Sequence, residues 1–153
     1  MKVVAEETAA SNPAGSTRFV TFFFGDDLYG LAADEVSEVT HPLPVSPLPH
    51  GPEFLSGISP LRGEIVAVID VGRMLGRNAV TSSARSKCVV LGKSENETQA
   101  AFKVDKMHEL ATLANVDLSV NPQAKSIFWG TAKCGGNTIK IISPTAIRAA
   151  LGS

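Results

Sequence analysis

Three histidines, two cysteines and a few adjacent acids are the side chains through which this chain could do bond chemistry, and their spacing argues against each role. His41, His50 and His108 are scattered, with no HExxH and no paired Cys/His spacing, so no metal site is expected. Cys88 and Cys134 form neither a CxxC pair nor a disulfide framework and are expected to be reduced thiols. Gly92-Lys93-Ser94 resembles the end of a phosphate loop, but Lys87 stands where the first glycine belongs. That segment also reads as a hairpin tip, not as a strand-to-helix turn. Asp26-Asp27 and Asp34-Glu35 are neighbours that face apart on a strand or serve as turn and cap. No serine lies in a G-x-S-x-G elbow, and the sequon Asn96-Glu97-Thr98 has meaning only in a secreted chain. The residues predict no enzyme, no cofactor and no metal.

Composition narrows the partners. The chain is 44% hydrophobic and 19% charged with a net charge of −1, a balance that suits a folded core and not a disordered segment. It lacks the positive excess that would neutralise phosphates, so neither nucleic acid nor an anionic membrane is an expected partner. The longest apolar run, Ile65 to Ile69, falls far short of a membrane span. The opening Met1-Lys2-Val3-Val4-Ala5-Glu6-Glu7 meets acid where a signal peptide needs apolar residues. A cytoplasmic location without direct membrane insertion is the expectation.

The elements that must position any functional residue are short strands. Residues 1–17, rich in Ala, Ser, Thr and Gly toward their end, predict a flexible tail, with order from Arg18. Val20, Phe22 and Phe24 alternate with Phe19, Thr21 and Phe23. Gly25-Asp26-Asp27 then turns the chain into Leu28-Tyr29-Gly30-Leu31, a β-hairpin by period and by turn chemistry. A second hairpin joins Cys88–Leu91 to Gln99–Val104. Between them Pro42, Pro44, Pro47, Pro49 and Pro52 predict an extended surface connector, and Arg77 to Ser86 a loop.

An internal repeat organises the rest. Asp34-Glu35-Val36-Ser37-Glu38-Val39 aligns with Asp105-Lys106-Met107-His108-Glu109-Leu110, 71 residues on. Gly57, Gly63 and Val66 to Asp70 align with Gly130, Gly136 and Ile139 to Ser143, 73 residues on. Each unit reads as a hairpin, a short turn capped by Asp34 or Asp105, a strand, a second hairpin and a helix. Asp70 and Ser143 sit at helix N-caps, with Pro144 at the favoured first position. Five strands per unit predict a mainly β fold of two small barrels, lobe 1 about 18–76 and lobe 2 about 86–151, each closing its sheet edges.

The repeat also separates fold from function. Recurrent glycines mark turn or bulge geometry. Arg62 does not recur, because Gly135 stands in its place, so the hairpin itself needs no arginine there. Beside Leu61, Arg62 is a candidate interaction anchor, weighed against an ordinary solvated arginine. Glu38 and Glu109 both recur on strands and point away from the barrel interior. Phe23 and Trp129 are expected under the terminal helix or between the lobes.

Phe22-Phe23-Phe24-Gly25-Asp26-Asp27-Leu28-Tyr29-Gly30-Leu31, followed by Val36-Ser37-Glu38-Val39, resembles the opening of the chemotaxis coupling protein family CheW. Pro49 to Ile58 and Leu61-Arg62-Gly63-Glu64-Ile65-Val66-Ala67-Val68-Ile69-Asp70 resemble its central signature. The likeness runs from about Arg18 to Leu151, strongest from Phe22 to Leu75. Pro60, Ala67 and Val71 depart from the family's usual Asn, Pro and Leu, and Pro60 cannot donate to a strand ladder.

The resemblance implies two SH3-like barrels in a scaffold that bridges a chemoreceptor's cytoplasmic tip and the regulatory domain of the histidine kinase CheA. It implies that Val36, Glu38, Gly57 and Arg62 lie on or near partner-contacting surfaces, with Leu61 beside them. Coupling would then work by assembly, without catalysis. A pilus or surface-motility array is an alternative setting. A small-ligand-binding β-barrel is the alternative of another class.

Overall fold

The alternation after Arg18 becomes β1 (Thr17–Phe24), which pairs antiparallel with β2 (Asp27–Ala32) around a turn where Gly25 has φ 62°. The computed structural model describes residues 17–77, 83–92, 98–113, 127–134 and 136–151. Strand β1 therefore starts one residue inside the expected tail, whose remainder lies outside the described residues. A 3₁₀ turn (Ala33–Glu35) leads into β3 (Val36–Thr40), and its N-cap is Ala32, not Asp34. After the proline connector come β4 (Leu55–Leu61), β5 (Glu64–Ile69) and helix α1 (Val71–Met74). Next follow β6 (Lys87–Leu91), β7 (Gln99–Val104), β8 (Lys106–Leu113), β9 (Phe128–Cys134), β10 (Asn137–Ile142) and helix α2 (Pro144–Ala149).

Both helix caps form as the residue types dictate. Asp70 Oδ1 accepts from the Arg73 amide at 3.1 Å, and Ser143 Oγ from the Ala146 amide at 3.1 Å, with Pro144 at the start of α2. Asp105 ties corners together instead of capping, its carboxylate accepting from the Gly25 amide at 2.6 Å.

Ten strands form two five-stranded sheets among the described residues, and each sheet draws its strands from both repeats. One sheet runs β8-β1-β2-β10-β9 and the other β3-β6-β7-β5-β4. The second, central sheet uses one continuous stretch, residues 36–104. The first is split between 17–32 and 106–142. The boundaries 18–76 and 86–151 follow the repeat, but the strands do not pair within it. Each unit lends its opening hairpin to the other, through parallel ladders that join β2 to β10 and β7 to β5. The two sheets consequently have the same strand order built from opposite halves. Their pairing is open among the described residues, so the lobes are curled sheets and not barrels closed by backbone. In the split sheet the edges β8 and β9 approach without pairing. Pro60 sits on β4, an edge strand, where its missing N–H costs no interior ladder bond.

The main core fills the space between the sheets. Phe22, Phe24, Tyr29 and Leu31 of the split sheet meet Val89, Leu91, Phe102 and Val104 of the central one, with Ile147 of α2 sealing the layer. Phe22 is the hub, edge-on to Phe24 at 5.8 Å and to Phe102 at 5.5 Å between ring centres. A smaller cluster of Phe19, Ala132, Ile139 and Ile141 lies on the other face of the split sheet. Trp129 packs against this cluster, and the half-buried Phe23 stands edge-on to His108 with Lys106 over its ring. Neither aromatic lies where it was expected, because both side chains project to the face opposite the inter-sheet core. Arg148 locks α2 to the central sheet by donating to Glu35 Oε1 at 2.9 Å and to the Gly92 carbonyl at 2.8 Å.

Ser59, fully buried on β4, has a hydroxyl with no hydrogen-bond partner. An unpaired buried hydroxyl opposes folding, so Ser59→Ala should raise stability by about 1 kcal/mol in urea unfolding. A loss of stability of that size would show that the hydroxyl is satisfied.

Candidate functional site

Arg62 and Gly63 make the two-residue loop between β4 and β5, flanked by the pair Leu61 and Glu64. Both loop residues are left-handed, with φ 52° at Arg62 and 81° at Gly63, as a tight hairpin of this length requires. Glycine or asparagine suits such a position and arginine does not, so Arg62 is held there against its backbone preference. Its side chain is 69% exposed, yet it is aimed: Nη1 donates to Glu38 Oε1 in an ion pair. That hydrogen bond, and then the carboxylate's charge, push the guanidinium pKa further up.

Glu38 belongs to β3 and Arg62 to the tip of β4, the two edge strands of the central sheet. The pair therefore spans the open seam of a curled sheet, joining edges that no backbone ladder joins. The arginine that the repeat marks as surplus to the hairpin is engaged in bridging the sheet.

The remaining candidates lie around this bridge with different roles. Val36 is half-buried at the start of β3, packed against the inter-sheet core, and a bulge separates its pairing from that of Glu38. Leu61 is half-buried at the turn. Gly57 is buried and contacts the connector: a Cβ there would sit 2.3 Å from the Ser46 carbonyl oxygen. Ser46 pairs with Ile58 through bonds of 2.8 and 3.0 Å, so Gly57 lets the proline-rich segment lie on β4. Thus Glu38 and Arg62 meet directly, Val36 and Leu61 flank them, and Gly57 positions the connector. Ile65, 54% exposed and paired with the exposed Pro60, adds an apolar shoulder beside the turn. Its place inside an apolar run hides it from a sequence reading, although alternation from buried Val66 points it outward.

Other titratable groups do not gather. His41, His50 and His108 are exposed and separate, and no group of three His, Cys, Asp or Glu among the described residues is placed to hold a metal. Glu109 is exposed on edge strand β8, and its carbonyl accepts from the buried Thr21 hydroxyl. Cys88 is a free, buried thiol whose pKa is pushed up by burial, against lowering contributions from the Leu43 backbone and the Lys103 charge.

Two curled sheets joined through one core thus carry an oriented arginine beside an apolar shoulder at a seam. The chain belongs to the CheW-like domain family, which it matches over residues 18–150. It is 25% identical over 114 residues to the chemotaxis protein CheW of Rhizobium meliloti (strain 1021), covering 74% of this chain and 72% of that protein. To the chemotaxis protein CheW of Helicobacter pylori (strain ATCC 700392 / 26695) it is 23% identical over 129 residues, covering 82% of this chain and 77% of the relative. The crystal structure of the scaffolding protein TtCheW from Thermoanaerobacter tengcongensis superposes with a TM-score of 0.71 at 28% identity. That match covers 83% of this chain and 88% of TtCheW.

Two outcomes follow from the local geometry. Arg62→Gly removes the bridge but relieves the backbone, so its melting temperature should stay within roughly 2 °C of the parent, whereas Arg62→Ala should melt lower than Arg62→Gly. Equal melting of the two variants would remove the case for a disfavoured backbone. At Cys88 the raised thiol pKa stabilises the fold while the group is protonated, and that contribution is lost as pH rises through the folded value. Alkylation of Cys88 by iodoacetamide, read by mass spectrometry, should be slower than that of an unfolded thiol at pH 8. Stability should fall more steeply above about pH 9 in the parent than in Cys88→Ala.

Proposed function

We propose that this chain is a non-catalytic adaptor that holds the cytoplasmic tip of a chemoreceptor against the regulatory domain of the histidine kinase CheA. The carrying observation is Arg62: exposed, in a disfavoured backbone conformation, and oriented by Glu38 beside the apolar Pro60–Ile65 pair. A disfavoured conformation at an exposed residue is a reason to look for function there. A planar guanidinium with one donor engaged retains others to meet a partner's carboxylate or carbonyl. Family membership supplies the partner class, and the two-sheet architecture supplies faces for more than one partner at once.

In this reading Glu38, Arg62 and Leu61 touch a partner, Val36 supports that face from the core, and Gly57 fixes the connector beside it. The adaptor biases the kinase by geometry, since a scaffold shifts an equilibrium only by contacting one state better than the other. No described helix is long and apolar enough to cross a membrane, and association with receptor arrays would run through the partners.

Titration calorimetry against the regulatory domain of the same organism's CheA tests the proposal. Micromolar or tighter binding, weakened about ten-fold or more by Arg62→Glu, is the expected result. Binding indifferent to that change moves Arg62 to the receptor-facing side. Absence of binding to both the kinase domain and a receptor tip overturns the adaptor reading.

A further inference from the structure

Four prolines set the path of the connector that follows β3. Proline locks its own φ at about −65° and drives the residue before it into extended backbone. Pro42, Pro44, Pro47 and Pro49 therefore constrain themselves together with His41, Leu43, Ser46 and Leu48, and between His41 and Pro49 only Val45 escapes the rule. The stretch is a rod, extended before any partner arrives. Two contacts moor its inner side: Ser46 exchanges both backbone hydrogen bonds with Ile58 on edge strand β4, and the Leu43 backbone meets the Cys88 thiol. His50, with φ 62°, ends it. A proline rod turns once in about three residues, so Leu43, Ser46 and Pro49 share the moored ridge. Pro44 and Pro47 then form a second ridge, and Val45 and Leu48 a third. Both of these are exposed, with Val45 at 39% and Leu48 at 42%, although Val45 also leans toward Gly57. No Asp, Glu, Lys or Arg lies between His41 and Pro52. A spacer needs stiffness but has no use for an apolar outer surface.

We propose that the segment Pro44 to Leu48 is a ligand for a partner domain whose groove is walled by aromatic side chains, the class of groove that reads polyproline. Rings set side by side across a groove receive a proline ridge and the aliphatic side chain next to it. Binding costs little ordering entropy here, because proline has already fixed the backbone. Pro44 and Pro47 bring no N–H to be desolvated, and the carbonyls along the rod are acceptors for an indole or phenol donor of the groove. Charge favours the same occupant. An uncharged rod offers nothing to an acidic or basic patch on a partner, so rings and not ions must recognise it. This occupant differs from the carboxylate or carbonyl assigned to Arg62, and the proposal does not depend on the adaptor reading.

Isolated SH3, WW and EVH1 domains serve as probes, each titrated into the full chain labelled with ¹⁵N. Saturable shifts at the Leu43, Val45, Ser46 and Leu48 amides are expected with at least one of them, reversed by an excess of decaproline, which fills the same groove. Pro44→Ala combined with Pro47→Ala should weaken binding about ten-fold or more. Pro49→Ala takes a proline from the moored ridge and should bind within roughly two-fold of the parent. If the double variant does not fold, Leu48→Asp on the neighbouring exposed ridge should show the same loss. A ten-fold rise in salt should change the affinity by less than about two-fold. The proposal is overturned if no domain shifts these amides, if decaproline fails to displace the chain, or if Pro49→Ala weakens binding as much as the double change. A steep salt dependence also overturns it, by assigning the binding to charged residues elsewhere.

Discussion

Everything in this molecule hangs on an apolar layer that belongs to neither sheet alone. Phe22, Phe24 and Phe102 meet edge to face between the sheets, and they are joined there by Leu31, Val89, Leu91 and Ile147. The inner cluster of the split sheet is much smaller, four buried residues led by Phe19. Sheets with such modest interiors gain most of their burial from each other, so the two lobes are one folding problem. Burying a ring of phenylalanine size contributes roughly 1.5–3 kcal/mol, and losing one from a packed core costs more. The faces presented outward are fixed in relative orientation as a result.

The exchange of hairpins reinforces that joint. Each repeat closes its partner's sheet by a parallel ladder, so no cut between the repeats leaves a complete sheet on either side. At the edges the solution changes from backbone to side chain. The central sheet curls until Arg62 reaches Glu38 across its seam, while β8 and β9 of the split sheet approach unpaired. A bridge from an exposed arginine to a half-buried glutamate at the surface is weak in water and screened by salt. Such a contact can be remade without disturbing the core beneath.

Local features were legible in the residues because local chemistry decides them. Alternation located both opening hairpins, Asp70 and Ser143 capped their helices as their side chains allow, and the prolines kept residues 42–52 out of the named strands, apart from the single bridge of Ser46 to Ile58. The register of the repeat was readable as well, since Gly63 and Gly136 both turn with positive φ. Pairing between distant strands was not legible. Every strand keeps its inward and outward faces whether it pairs within its own repeat or with the other, so periodicity cannot choose. The Glu38–Arg62 contact escaped for the same reason, because it depends on how far a sheet curls. Gly57 and Gly130 align yet differ: only Gly57 has positive φ, and the Ser46 carbonyl approaches it where a Cβ would clash. Such an approach is set by the path of the connector and not by the glycine's neighbours.

The nested order of the sheets gives synthesis on the ribosome a direction. All five strands of the central sheet have been made once Val104 has emerged, whereas β1 and β2 must wait for residues as late as Ile142. Through that interval the first hairpin carries Phe22, Phe24 and Leu31 with two unpaired edges, a template for unwanted association. The central sheet offers the remedy, because Val89, Leu91 and Phe102 are available to cover those rings before the hairpin's own partners exist. The strand order thus allows the central sheet to be complete before the split one.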